Sequence, residues 1–331
     1  MKKITILIPA YNEAQNLPIL LPELNNLTVN PSQLPDGSEL KARAETFGFN
    51  GADFEWEFFF VNDGSRDNTL EILKKLRQVD PRVHYLNLSR NFGKENAMLA
   101  GLDFASGDAV IIMDADLQDP VYLVPEMVYW WRQGYDDVYG KRTTRGRESW
   151  LRKKLSLTFY KVLQHSTRIE VLPNVGDFRL LDRRVIDALK NLRETQRYTK
   201  GLFCWVGYNK KEVLFKREDR AQGNSSFRMS SLMNLAIEGI TSFTTAPLRF
   251  STILGFCVSI LALAFMIYIL IKTIIYGDPV QGFPTLMCVI LFMGGVQLVA
   301  IGIIGEYVGR IFNEAKGRPV YIAESLNDQK L

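Results

Sequence analysis

Two long runs without a charged side chain, 250–271 and 280–305, constrain this chain more than any other feature. The first lies between Arg249 and Lys272, the second between Asp278 and Glu306. A helix crosses a bilayer core with about 20 apolar residues, so both runs are long enough to span. A buried helical hairpin in a soluble protein is the competing reading, but soluble cores seldom carry two such runs in succession. The link Gly277-Asp278-Pro279 has no Lys or Arg, whereas Arg249, Arg310, Lys316 and Arg318 flank the far ends. The positive-inside rule then puts both termini, and the domain before the hairpin, in the cytoplasm.

Just before the first run, Met229, Leu232, Met233, Ala236, Ile237, Ile240 and Phe243 recur at helical spacing. The stripe is expected to lie at the membrane surface; packing against the preceding domain is the alternative. The chain has 331 residues, 47% of them hydrophobic and 23% charged, enough for one α/β domain plus this membrane part. A net charge of +4 leaves no nucleic-acid footprint. Cys204, Cys257 and Cys288 are too scattered for a zinc site or a disulfide framework. The apolar start, Ile4 to Ala10, is cut short by Tyr11-Asn12-Glu13 and reads as a first strand rather than a signal peptide.

The first half alternates strand-like and helix-like segments, the pattern of βαβ units and a mainly parallel sheet. Strands are expected at Ile4–Ile8, Glu57–Val61, Val83–Leu88 and Ala109–Met113, with helices at Thr69–Val79, capped by Asp67 or Asn68, and Glu95–Ala105. The polar stretch 29–54 reads as a surface insertion. Ala109–Met113 runs into Asp114-Ala115-Asp116-Leu117-Gln118, so hard oxygen ligands stand at the carboxyl edge of a sheet, where α/β domains bind ligands. Neither G-x-G-x-x-G nor G-x-x-x-x-G-K-[ST] occurs, which argues against dinucleotide oxidoreductases and P-loop NTPases. A single D-x-D is common by chance, and helix capping or solvation would explain it equally well.

Its context is more specific. Pro9-Ala10-Tyr11-Asn12-Glu13 after the first strand, Val61-Asn62-Asp63-Gly64-Ser65-Arg66-Asp67-Asn68-Thr69 after the second, and Asp114-Ala115-Asp116-Leu117-Gln118-Asp119-Pro120 after the fourth together resemble the GT-A glycosyltransferases of family 2. More narrowly, the chain is similar over nearly its whole length to the polyprenyl-phosphate glycosyltransferases, the group of dolichol-phosphate mannose synthase and the bacterial prenyl-phosphate glucosyltransferases. That resemblance implies a Rossmann-like, mainly parallel α/β GT-A domain at 1–228, an interfacial helix at 229–246, a two-helix transmembrane hairpin at 247–309 and a cytoplasmic tail at 310–331. Asn62, where the family commonly has an acid, and the insertion depart from the pattern.

By position, the resemblance makes Pro9, Tyr11, Glu13 and Asp63 contacts to the nucleoside, and Asp114 a contact to the sugar nucleotide or the metal. Asp116 and Gln118 become ligands of Mg²⁺ or Mn²⁺, with Asp114 beside them. Asp177, in Gly176-Asp177-Phe178-Arg179, is the candidate acid on the acceptor side; its alternative is a carboxylate tying down Arg179 or Arg183. A phosphate monoester has a second pKa of about 6 and is already ionised near neutral pH, so Asp177 is expected to orient rather than deprotonate. Arg142, Arg152 and Ser156 match residues that hold the acceptor phosphate, and Arg217, Arg220 and Ser225 match a loop that closes over the donor diphosphate.

The implied reaction is inverting transfer of a sugar, glucose from UDP-glucose by first choice, to a polyprenyl phosphate such as undecaprenyl phosphate. GDP-mannose is the alternative donor. A processive polysaccharide synthase should carry Gln-x-x-Arg-Trp and more spans, whereas this chain has only Gln196-Arg197-Tyr198. A membrane subunit that binds sugar nucleotide without turnover is the non-enzymatic rival. A short membrane hairpin also favours homo-oligomers.

Overall fold

The structure is a computed structural model that describes residues 1–143, 175–195, 197–215, 246–276 and 282–331. The stripe 229–243 and the candidates Arg152, Ser156, Arg217, Arg220 and Ser225 lie outside the described residues.

Four parallel strands form the centre of the sheet: β1 (Lys2–Ala10), β2 (Phe54–Asn62), β3 (Val83–Leu88) and β4 (Ala109–Ile112). Their apolar runs are continuous because both sheet faces are covered. Ile4, Ile6, Ile8, Phe58, Phe60 and Ile111 enter one core layer, and Leu7, Phe59, Val61, Val110 and Ile112 enter the other. Helices α1 (Leu17–Asn26), α2 (Glu39–Phe47), α3 (Thr69–Val79), α4 (Lys94–Phe104) and α5 (Val124–Arg132) fill the connections. Gly101 lets α4 lie directly on β1, since a Cβ there would stand 2.1 Å from Leu7 Cδ1. The expected strands and the two expected helices are present, β1 and β2 being longer than expected. Asn68 stands at the N-cap of α3 without a side-chain cap bond, and the preceding Asp67 supplies one instead, its Oδ1 accepting from the Thr69 N–H at 3.0 Å.

Three strands that were not assigned from sequence extend one side: β5 (Asp137–Arg142), β6 (Val175–Asp182) and, after helices α6 (Arg183–Lys190) and α7 (Thr199–Trp205), β7 (Lys210–Phe215). β6 is antiparallel to both β4 and β5. The stretch 29–54 is not an open loop. It carries α2, whose Ala44 is buried, and the cluster Phe49, Phe54 and Trp56, with the Trp56 indole N–H donating to the Gly51 carbonyl at 2.8 Å.

The last third holds two long helices packed on each other, α8 (Ala246–Tyr276, 31 residues) and α9 (Phe283–Ala315, 33 residues). Among the described residues, Phe292–Ala315, with mean hydropathy 1.5, is the one stretch long and apolar enough to cross a membrane. Within the expected tail, 310–331, the chain returns to the sheet. β8 (Ala323–Leu326) pairs antiparallel with β3, and β9 (Gln329–Lys330) closes a hairpin on it. The turn between them uses Asn327 and Asp328, both at positive φ, as a two-residue hairpin requires. Strand order is β7-β5-β6-β4-β1-β2-β3-β8-β9 among the described residues.

Candidate active site

In this order β1 is flanked by β2 on one side and β4 on the other, so consecutive connections leave its carboxyl end in opposite directions. A crevice opens at such a switch point. Here it is a cavity of ≈ 250 Å³ lined by Pro9, Tyr11, Glu13, Asp63, Asn91, Gly93, Lys94, Asp114 and Asp116, among others.

Each loop is tied to the next. Asn12, at φ 57, accepts the Arg66 N–H at 2.8 Å and donates its own N–H to Ser65 Oγ at 3.0 Å. Asn tolerates that left-handed backbone better than bulkier residues. Asp63 accepts the N–H groups of Phe92 and Gly93 at 2.7 and 2.9 Å, which fixes the loop between β3 and α4. Burial pushes the Asp63 carboxyl up, and those two donors pull it partly back. Gly64, at φ 61, packs against the same loop, where a Cβ would stand 2.4 Å from the Arg90 carbonyl carbon. Gly64→Ala is therefore expected to cost about 1–3 kcal/mol and to weaken nucleotide binding. Thermal unfolding with a donor titration checks it, and an unchanged Tm and affinity would refute this packing.

The D-x-D turn has its own frame. Asp119 accepts the Asp114 N–H at 3.0 Å, and Asp116 accepts the Gln118 N–H at 3.2 Å. Leu117 between them sits at φ 62, a conformation that costs energy in a residue with a Cβ and gathers at functional sites. Burial, then the Asp114 charge, push the buried Asp119 carboxyl up to about 7. Glu13 is raised as well, first by burial and then by Asp116 and Asp114, against the 2.6 Å hydrogen bond it accepts from Asn16. Acidic groups thus converge on one side of the cavity. Hard carboxylate oxygens suit Mg²⁺ or Mn²⁺; Gln118 itself is buried and is not among the residues that line the cavity. Among the described residues no three His, Cys, Asp or Glu side chains form a closed metal cage, so a cation here would draw further ligands from substrate or water.

Asp177 meets neither Arg179 nor Arg183. Arg179 pairs with Asp137 at 2.9 Å, and Arg183 donates to the Ala105 carbonyl at 3.1 Å. Asp177 lies instead 2.7 Å from Lys94 Nζ, and Lys94 lies 2.6 Å from Asp114. Burial alone would raise the Asp177 carboxyl; Lys94, Lys200 and Arg179 outweigh it and hold it at about 2. A carboxylate that acidic is a poor base, in keeping with an orienting role. Arg142 comes close to this strand, its Nη2 3.2 Å from the Cβ position of Gly176. Asn62 is turned into the scaffold, donating to Asn87 Oδ1 at 2.6 Å.

The cavity thus gathers Pro9, Tyr11, Glu13, Asp63, Asp114 and Asp116, with Asp177 reached through Lys94. Sequence reasoning overlooked Asn91, Gly93 and Lys94. Their signal was the polar, Gly-containing stretch Ser89-Arg90-Asn91-Phe92-Gly93-Lys94 leaving the third strand at the same sheet edge.

Fold and cavity together define an α/β enzyme class that holds its ligand among acidic loops at the switch point, without either common phosphate loop. The description Glycosyl transferase family 2 matches residues 5–190, and GtrB C-terminal hairpin matches 246–311. Bactoprenol glucosyl transferase of Shigella phage SfV is 42% identical over 98% of this chain and 98% of its own length. The prophage bactoprenol glucosyl transferase homolog of Escherichia coli is 39% identical over 97% of this chain and 98% of its own. The chain belongs to glycosyl transferase family 2 and is a glycosyltransferase. The solved structure of glucosyl-3-phosphoglycerate synthase from Mycobacterium tuberculosis with Mn²⁺, UDP-glucose and phosphoglyceric acid overlaps at TM-score 0.42 and 19% identity, over 71% of this chain and 76% of that one. So loose a superposition says nothing about the site.

Proposed function

We propose that this chain transfers glucose from UDP-glucose to a polyprenyl phosphate, undecaprenyl phosphate in the first instance, with inversion at the anomeric carbon. The observation that carries the reading is the meeting of the three motif loops on one cavity. Its support is the end-to-end likeness to proteins named bactoprenol glucosyl transferase.

In this reading the exposed Tyr11 offers a stacking face to the base, while Pro9, Glu13 and Asp63 line the nucleoside pocket. Asp116 and Gln118, with Asp114, would hold Mg²⁺ or Mn²⁺, which when bound neutralises charge on the departing diphosphate. Arg217, Arg220 and Ser225 belong to the donor diphosphate, and Arg142, Arg152 and Ser156 to the acceptor phosphate. Asp177 orients the ionised acceptor, which attacks the anomeric carbon as the nucleoside diphosphate leaves.

We further propose that α8 and α9 both cross the membrane, with 1–228 and both termini in the cytoplasm and 229–246 along the interface. Exposed apolar side chains support this, among them Phe256, Leu261 and Tyr268 on α8 and Leu298, Ile301 and Ile311 on α9. A polyprenyl tail stays in the bilayer, so an anchored site meets its acceptor there.

The test is transfer of labelled sugar from UDP-glucose, and in parallel GDP-mannose, to undecaprenyl phosphate by the detergent-purified protein, with and without Mg²⁺ or Mn²⁺. A chloroform-soluble, metal-dependent product from UDP-glucose is expected. A water-insoluble polymer, or no product from any donor, would overturn the proposal.

A further inference from the structure

Lys94 is the first residue of α4, and Asp63 grips the two backbone N–H groups just before it. Its ammonium therefore has a fixed root on the nucleoside side of the cavity. From there it reaches Asp114 Oδ1 at 2.6 Å and Asp177 Oδ2 at 2.7 Å, joining the D-x-D strand to β6. The other oxygen, Asp177 Oδ1, is buried with no hydrogen-bond partner among the described residues, and Lys94 is the cation in direct contact with that carboxylate, with Lys200 and Arg179 adding to the positive field around it. The three groups together carry one net negative charge; without the lysine they would carry two. A phosphate monoester acceptor is itself an anion, and like charges in a partly desolvated site repel strongly.

Building on the function proposed above, we propose that Lys94 is a positioning residue that cancels the charge of Asp177 and holds it against Asp114, so that an anionic lipid phosphate can approach the donor sugar. A donor-side lysine, serving the nucleoside diphosphate, would affect donor and acceptor differently, and that difference is measurable.

The experiment is equilibrium binding of undecaprenyl phosphate and, separately, of UDP-glucose with Mn²⁺, to the full chain in detergent micelles. Lys94→Met is expected to weaken acceptor binding by about tenfold or more, and by more than it weakens donor binding. Lys94→Arg, which keeps the cation, should retain acceptor affinity. Lys94→Met combined with Asp177→Asn restores the original net charge and should recover acceptor binding, though not full turnover. A merely structural lysine would make that double variant worse than the single one. Equal losses for both ligands after Lys94→Met, or a double variant no better than the single, overturns the inference about Lys94 while leaving the functional reading intact. A wild-type chain that neither binds nor glucosylates undecaprenyl phosphate overturns both.

Discussion

Asp116→Ala is expected to lower sugar transfer on the order of 10²–10³-fold or more, with a Tm close to wild type. Asp116 lines the cavity, and one oxygen accepts the Gln118 N–H at 3.2 Å inside its own turn. Losing that bond costs about 1 kcal/mol, too little to unfold the domain. The catalytic loss has a different origin. Glu13 is pushed up by burial and then by Asp116 and Asp114, so these acids already share one field. In the proposed function a divalent cation held by Asp116 would relieve that repulsion and neutralise charge on the leaving group, and the alanine would remove that ligand. Donor binding to the wild type should strengthen when Mn²⁺ is added, whereas in Asp116→Ala it should hardly respond. Near-normal transfer by that variant, or an unaltered metal response, would defeat the assignment of Asp116 as a metal ligand.

Sequence periodicity disclosed the half of the fold in which each strand is buried on both faces. β1, β2, β3 and β4 are dominated by apolar residues, which located each strand, although β1 and β2 run on through polar residues at their ends such as Lys2, Glu55 and Asn62. The strands beyond β4 were hidden because their apolar residues are diluted with functional and paired charges: β5 reads Asp-Val-Tyr-Gly-Lys-Arg, and β6 holds Asp177, Arg179 and Asp182. The β8–β9 hairpin was hidden by position, behind a membrane-length helix, although Asn327-Asp328 is a recognisable turn pair. At the site, the residues legible in advance sit in loops with strong local signatures. Lys94 was not legible, because a lysine opening a helix has no distinctive spacing, and only the packing of α4 on β1 and β2 brings its first residue to two carboxylates. The alternative partners considered for Asp177 failed for a related reason: Arg179 already had a buried carboxylate of its own.

That pairing carries the other large expected effect. Asp137 and Arg179 are almost wholly buried, 2.9 Å apart, on neighbouring strands β5 and β6. The Arg179 guanidinium also covers the Phe203 ring, 3.7 Å from its centroid, and donates to the Gly176 carbonyl at 3.3 Å. Burial pushes the Asp137 carboxyl up and Arg179 opposes that, as expected of charges that depend on one another away from water. Asp137→Ala leaves a buried guanidinium without its counter-charge and should cost about 3–5 kcal/mol, a large share of a stability of about 5–15 kcal/mol. Replacing both residues by Leu and Met removes both charges together and should cost far less, because the pair's attraction largely offsets its desolvation. Thermal or denaturant unfolding of the single and double variants in detergent measures this difference. A double variant as unstable as Asp137→Ala would mean that packing, not the uncompensated charge, sets the cost. The pair also bears on activity. Arg179 follows Asp177 by two residues and so projects from the same face of β6, and its field already helps hold the Asp177 carboxyl low. An Arg179 released from Asp137 competes with Lys94 for Asp177, so the surviving folded fraction of Asp137→Ala should show a lower kcat with little change in donor KM. An unchanged kcat would separate the buried pair from the chemistry and leave it a purely structural brace.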